Sequence, residues 1–314
     1  MNELSLPDPR RPDPNDPVRP AALVLVAVAE PPLDERRPWL ERADLVDALA
    51  VPGADTPIYL TDTDVAITTT GIGKSDAATT TTALLATPGI DLESAYVLSA
   101  GIAGGPPSRA ALGSVALADA VVDWDRKHRW DRAETDKERS DEPDESIDTL
   151  AYRPRDYVHR LEERLLEAAL DATERVHLEE DPEVRTYQQR YPDAPDSGPT
   201  VETGTTVCGD EFWHGPRYAR EVDWLCEQYG VGPYATTQME DAATAAALER
   251  FDLLERYLSV RAVANYDRPA PDETVEESFD GTAASLALAI DNAERVGSAV
   301  VGELLEADPL DVRG

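Results

Sequence analysis

The sequence predicts an α/β fold, a single three-layer domain in which a central mixed β-sheet is flanked by helices. Three observations carry that expectation. Runs of strand length alternate with helix-forming stretches from residue 21 to residue 305, the pattern of strands joined by crossover helices. The first of those runs, residues 21–29, is apolar at every position, as a strand buried on both faces of a mostly parallel sheet is. No internal repeat and no linker divides the 314 residues, a length that suits one large α/β domain.

The elements follow in order. Residues 1–20 hold prolines at 7, 9, 12, 14, 17 and 20 and are expected to be a disordered tail, leaving 21–314 as the domain. Residues 21–29 form the first strand and 38–49 a short helix. The stretch 63–70 is a second strand, rich in β-branched residues. It ends in Gly71-Ile72-Gly73 and gives way to a helix over 74–86. A third strand, 94–99, closes in a glycine-rich turn over 100–105, and a fourth covers 115–122. Polar loops are expected near 132–150 and 181–199, on either side of an amphipathic helix over 158–171. Residues 200–207 form a strand, 217–229 a helix and 235–238 a short strand that leads through Met239-Glu240 into a helix ending near 250. The strand over 257–264 precedes Asn265-Tyr266-Asp267, and 282–305 is a long closing helix.

Composition narrows the function. There are 63 acidic against 29 basic residues, a formal net charge of −34. Like charges at that density repel unless salt screens them. Only Lys74, Lys127 and Lys137 are lysines, the other basic residues being arginine. This points to a salt-adapted, haloarchaeal cell. The same charge excludes nucleic acid and anionic membrane surfaces as partners, because both demand a basic patch. Cys208 and Cys226 read as reduced thiols. No apolar run is long enough to span a bilayer and the first twenty residues lack the core of a signal peptide, so the expected location is the cytoplasm and a membrane-embedded transporter is not expected. There is no HExxH or paired His/Cys pattern, so no metal is expected.

Ligands of open α/β folds bind at strand ends, and the candidate residues are sought there. Gly71 and Gly73 precede a helix whose free N–H groups and dipole favour an anion. The stretch is neither GxGxxG nor GxxxxGK[ST]. Ser99 and Gly101 offer a second cradle of backbone amides and a hydroxyl. Phe212 and Trp213 present aromatic faces on which a flat base can stack, whereas the adjoining His214 suits a structural role. Glu240 can accept hydrogen bonds from two ribose hydroxyls, with Met239 under the sugar. Asn265 offers a donor and an acceptor to a base edge, and a protonated Asp267 can pass a proton to a leaving nitrogen. Each feature also has a purely structural explanation: tight turns for the glycines, core packing for the aromatics, dipole complementarity for Glu240, turn chemistry for Asn265 and Asp267.

Taken together and in order, the segments 69–78, 98–104 with 112–114, 204–215, 236–241 and 261–267 resemble the purine nucleoside permease family, whose core is similar to the nucleoside phosphorylase fold. The resemblance implies cleavage of a purine nucleoside, guanosine or inosine favoured, by phosphate to free base and ribose 1-phosphate. The enzyme would be a homo-oligomer with phosphate as co-substrate and no cofactor. It places Gly71, Gly73, Ser99 and Gly101 around phosphate, Met239 and Glu240 on ribose, Phe212 or Trp213 on the base, and Asn265, or less readily Asp267, at the purine ring as the catalytic group. Many phosphorylases carry an arginine shortly before the position of Ser99. Here the stretch is Tyr96-Val97-Leu98, so the phosphate cation must be Lys74, Arg132 or an arginine of a neighbouring subunit. Two alternatives stand beside this: a nucleoside hydrolase of the same fold, and a nucleoside-binding protein linked to uptake.

Overall fold

The structure, a computed structural model, describes residues 4–130, 146–150, 152 and 157–313. Strand β1 (Ala22–Val26) is buried throughout. Its side chains alternate between two cores, as the pleat requires. Ala22, Val24 and Val26 pack with Val296 and Val300 on one side, and Leu23 and Leu25 pack with Leu84 and Leu248 on the other. The unbroken apolar run thus encodes a strand with a helical layer on each face.

The helix expected over 38–49 is instead a short α1 (Arg37–Arg42) followed by strand β2 (Leu45–Leu49), which pairs antiparallel with β3 (Ile58–Thr61) at the edge of the sheet. Strand β4 (Val65–Thr69) and helix α2 (Lys74–Ala86) lie where the sequence puts them. Strand β5 (Tyr96–Gly105) runs straight through the stretch read as a turn. Its glycines serve a close crossing: a Cβ on Gly105 would stand 3.0 Å from the Ala235 carbonyl oxygen, and one on Gly104 would stand 3.0 Å from Thr237 Oγ1. Strand β6 (Val115–Asp123) is followed by the hairpin β7 (Lys127–Arg129) and β8 (Ile147–Thr149). Arg132 and most of the expected 132–150 loop lie outside the described residues.

The helix expected over 158–171 is divided into strand β9 (Val158–Arg160) and helix α3 (Glu163–Thr173). The loop expected over 181–199 contains helix α4 (Pro182–Gln188), capped by Asp181, whose side chain accepts from the amides of Glu183 and Val184. Strand β10 (Val201–Cys208), helix α5 (Pro216–Gln228), strand β11 (Tyr234–Gln238) and helix α6 (Asp241–Arg250) follow. Strand β12 (Tyr257–Tyr266), helix α7 (Val275–Ser278) and the 25-residue α8 (Ala283–Ala307) complete the chain.

The main sheet is ordered β11-β10-β6-β12-β5-β1-β4-β3-β2, with β9 added on β6. It is mixed: β4, β1, β5 and β12 are parallel, and β12 meets β6 antiparallel. The end of β5 reaches β11 at Gly104 and Thr237, so the sheet curls around the residues described next. The expected disordered tail is corrected. Arg10 exchanges backbone hydrogen bonds with Ala48 and Ala50 at 2.9 and 2.8 Å, and Val18 exchanges them with Gly89 and Asp91 at 3.1 and 2.9 Å. The segment is therefore fastened to the domain at Arg10 and Val18, with a turn over residues 13–16 between the two anchors.

Candidate active site

The site is built where the loop after β1, the β4–α2 turn, β5, β11 and β12 meet. At its centre is Arg261 of β12, 2% exposed. A cation in that position needs anionic partners, and three carboxylates surround it. Asp241 receives the Arg261 guanidinium through Nε and Nη2, together with the hydroxyls of Ser99 at 2.7 Å, Tyr257 at 2.9 Å and Ser259 at 2.5 Å. Burial works to raise its pKa, but the Arg261 charge and these hydrogen bonds hold the Asp241 carboxyl below its ordinary value. Glu240 lies 3.5 Å from Arg261 and accepts the Gly73 amide at 3.0 Å. Burial raises its pKa against the pull of Arg261.

The third carboxylate is Glu35, 4% exposed, on the loop after β1. One oxygen accepts the Ile102 amide at 2.7 Å, and the other accepts the amides of Ala27 and Val28, each at 3.1 Å. Burial, with Glu240 adding repulsion, outweighs these hydrogen bonds and Arg261, and pushes the carboxyl up to about 7. A Cβ on Gly101 would stand 2.6 Å from Glu35 Oε1 and 3.0 Å from Arg261 Nη1. Gly101 therefore serves the approach of Glu35 and Arg261. Its replacement by Ala is expected to cost about 1–3 kcal/mol through overpacking, read as a lower urea midpoint with an unchanged slope; an unaltered midpoint would show that the carboxylate has room to move.

The residues expected around phosphate are engaged otherwise. Gly71 and Gly73 have φ near +85°, as the turn requires, but the Gly73 and Lys74 amides are already held by the carboxylates of Glu240 and Asp210, the latter at 2.7 Å. The Lys74 ammonium sits 2.7 Å from both Asp123 and Asp125. Burial opposes its charge, yet that pair of carboxylates raises its pKa. Ser99 is buried and bonded to Asp241 and Arg261. The expected cradle is filled by the protein's own carboxylates, and its expected cation is already paired twice.

Of the residues expected around the sugar and base, Glu240 is buried against Gly73 and Arg261 and is not part of the cleft lining, whereas the others share one cleft. Phe212, Trp213, Met239, Asn265 and Asp267 line one cleft, along with Gly104, Gln238 and Glu211. Phe212 is 60% exposed, its ring edge-on to Phe279 with centroids 5.9 Å apart, so it has a face free for stacking. Trp213 packs against Trp124, Tyr218 and Tyr234 and serves the core more than the cleft. His214 bonds Ser278 at 2.7 Å; burial and then Arg268 push its pKa down to about 4, a neutral structural histidine. Asn265 lies within β12 rather than after it, with Nδ2 donating to the carbonyls of Phe279 at 2.9 Å and Tyr266 at 3.3 Å. Its oxygen is the end that remains for a ligand. Asp267 is raised by burial, but Arg268 and the Tyr234 hydroxyl occupy both of its oxygens at 2.6 and 2.5 Å. Among the described residues no group of three His, Cys, Asp or Glu side chains is placed to hold a metal ion.

Sequence reasoning passed over Glu35, Arg261 and Asp241 as site residues. Arg261 had a usable signal: a lone guanidinium inside an apolar strand must be buried and paired. Glu35 had none, since Asp34-Glu35-Arg36-Arg37 reads as ordinary charged surface.

The sequence model of the purine nucleoside permease family matches residues 20–308. The chain is 30% identical over 261 residues to a probable purine nucleoside permease of Schizosaccharomyces pombe, covering 76% of this chain and 74% of that one. It is 25% identical over 296 residues to a purine nucleoside permease of Candida albicans, covering 87% and 72%. Among solved structures it resembles the futalosine hydrolase of Helicobacter pylori, with a TM-score of 0.59 and 20% identity over 91% of this chain and 99% of that one. It also resembles a 5′-methylthioadenosine/S-adenosylhomocysteine nucleosidase of Colwellia psychrerythraea in complex with adenine, with a TM-score of 0.57 and 21% identity over 92% and 96%. These likenesses give the fold. The relatives are fungal and lend the expected haloarchaeal source no support. Their name, permease, denotes passage across a membrane and overturns the expectation of a cytoplasmic protein, although no helix among the described residues is long and apolar enough to cross one. The chain belongs to the purine nucleoside permease family.

Proposed function

We propose that this chain binds purine nucleosides in the cleft and hydrolyses their N-glycosidic bond. The observation that carries this reading is Glu35: a buried carboxyl with a pKa of about 7, close to Glu240 and Arg261, is poised to accept a proton at neutral pH. The C1′–N9 bond loosens toward an oxocarbenium ion, as in glycoside cleavage. Glu240 accepts from the ribose hydroxyls. Water adds to C1′ and gives a proton to Glu35, while the electron pair of the broken bond leaves with the base, which takes up a proton from solvent as Glu35 returns its own to solvent. The products are ribose and free purine.

Water is favoured over phosphate as the acceptor because the Gly73 and Lys74 amides and the Lys74 ammonium already hold carboxylates. A dianion placed beside Glu35, Glu240 and Asp241 would meet repulsion. The names of the fungal relatives favour a second reading, in which the nucleoside is bound without cleavage as part of uptake.

The test is to incubate the protein with inosine, guanosine, adenosine and uridine, with and without phosphate, and to separate base from nucleoside. Purine release at the same rate in both conditions is expected. Release that depends on phosphate and yields ribose 1-phosphate would restore the phosphorolytic reaction. Tight binding without release would leave the uptake reading.

A further inference from the structure

Gln238 ends β11 in the wall of the cleft and is 8% exposed. Its Oε1 accepts the amides of Glu240 at 2.7 Å and Asp241 at 2.9 Å, the first free N–H groups of α6. Two donors fix which end of the amide faces the helix, since a flipped amide would set NH2 against two N–H groups. Nε2 is therefore the end left over. It is buried and has no hydrogen-bond partner. A buried donor without a partner is costly, and one on a residue that lines a cleft is where an acceptor on a bound ligand would be satisfied.

From this we propose that Gln238 is the base-selecting residue, its Nε2 donating to a carbonyl oxygen of the bound base, so that the cleft takes 6-oxopurines in preference to 6-aminopurines. The inference rests on the cleft being the nucleoside site. It does not rest on hydrolysis. Asn265 supplies the complement: its NH2 is spent on two backbone carbonyls, so its oxygen faces the ligand as an acceptor. A donor and an acceptor in one cleft match the O=C–N–H edge of an oxopurine. An aminopurine would set its own NH2 against that of Gln238, leaving both unsatisfied, and sites built around a hydrogen bond reject such analogues strongly.

Free bases test this apart from catalysis, because they have no bond to cleave. Calorimetric titration of the wild-type protein should show hypoxanthine binding about 10- to 100-fold more tightly than adenine or unsubstituted purine. The variant Gln238→Glu keeps an oxygen for the α6 amides but replaces the ligand-facing donor with an acceptor. It should lose about 10- to 100-fold for hypoxanthine and lose nothing for adenine. Equal binding of the three bases by the wild type, or no binding of any, would overturn the proposal without any variant. An equal loss for hypoxanthine and adenine in Gln238→Glu would overturn it as well, reducing Gln238 to a cap for α6. Bases that bind as expected while nucleosides stay uncleaved would refute hydrolysis and uphold the selection.

Discussion

Glu35→Gln is expected to slow inosine cleavage by a factor of about 10² to 10⁴, the usual worth of a general base, while inosine binding changes little. The isostere keeps the volume and removes the proton acceptor. The pH profile separates this from simple damage. In the wild type, Glu35 must be ionised to accept a proton, so kcat/KM should fall as the pH drops through about 7 and flatten above it. In Glu35→Gln the residual rate should lose that limb. The sign on stability is opposite. Glu35 titrates near 7 in the folded protein against an ordinary 4.5, so the fold holds its proton more tightly than the unfolded chain does. Its contribution is full below pH 4.5 and is lost as the pH rises to about 7, by at most about 3 kcal/mol. The carboxylate that works at neutral pH is thus one that weakens the fold there. A variant with undiminished turnover would remove Glu35 from the chemistry.

Arg261→Met is expected to produce the largest loss of stability in the molecule. The methionine fills the volume, but Asp241, Glu240 and Glu35 are left buried without their common cation. Removing one partner of a buried ion pair costs about 3–5 kcal/mol. At roughly 2–4 °C per kcal/mol for a large domain, thermal unfolding should move down by about 6 °C or more. The remaining carboxylates should take up protons to compensate, so any surviving activity should have its acid limb displaced to higher pH. Calorimetry across pH 6–9 reads the first effect, and a pH–rate profile of inosine cleavage reads the second. A variant as stable as the wild type would mean that the three carboxylates are neutral or well hydrated, and the centre described above would have to be abandoned.

The fold was legible where periodicity and burial speak with one voice. Strand β1 announced itself by an apolar run, and α2 was read from Lys74 to Ala86 because it follows the strand-ending Gly71-Ile72-Gly73; in the structure Gly73 with a positive φ and Thr87 in extended conformation stand at its two ends. The glycines of β5 were misread because glycine marks a turn and a crowded strand equally well. Only the crossing of β11, distant in sequence, distinguishes them. The same long-range geometry hid the site. Phe212, Met239, Glu240 and Asn265 were singled out because each follows a strand-length run, a signal that a local window does carry. Glu35 was missed because its burial depends on the glycine at 101, the amides of Ala27, Val28 and Ile102, and the arginine of β12, none of which a local window reveals. The proline-rich segment was misjudged for a related reason: composition reports the absence of regular structure, which is compatible with a segment fastened to Ala48 and Gly89 at Arg10 and Val18.

The most direct test is a crystal structure with a non-cleavable 6-oxopurine nucleoside analogue, grown with inorganic phosphate present. The account predicts the base against Phe212, the ribose hydroxyls on Glu240, and a water molecule about 3 Å from Glu35 on the face of C1′ opposite the base. Phosphate bound there in place of that water, or an analogue bound outside the cleft, would contradict it.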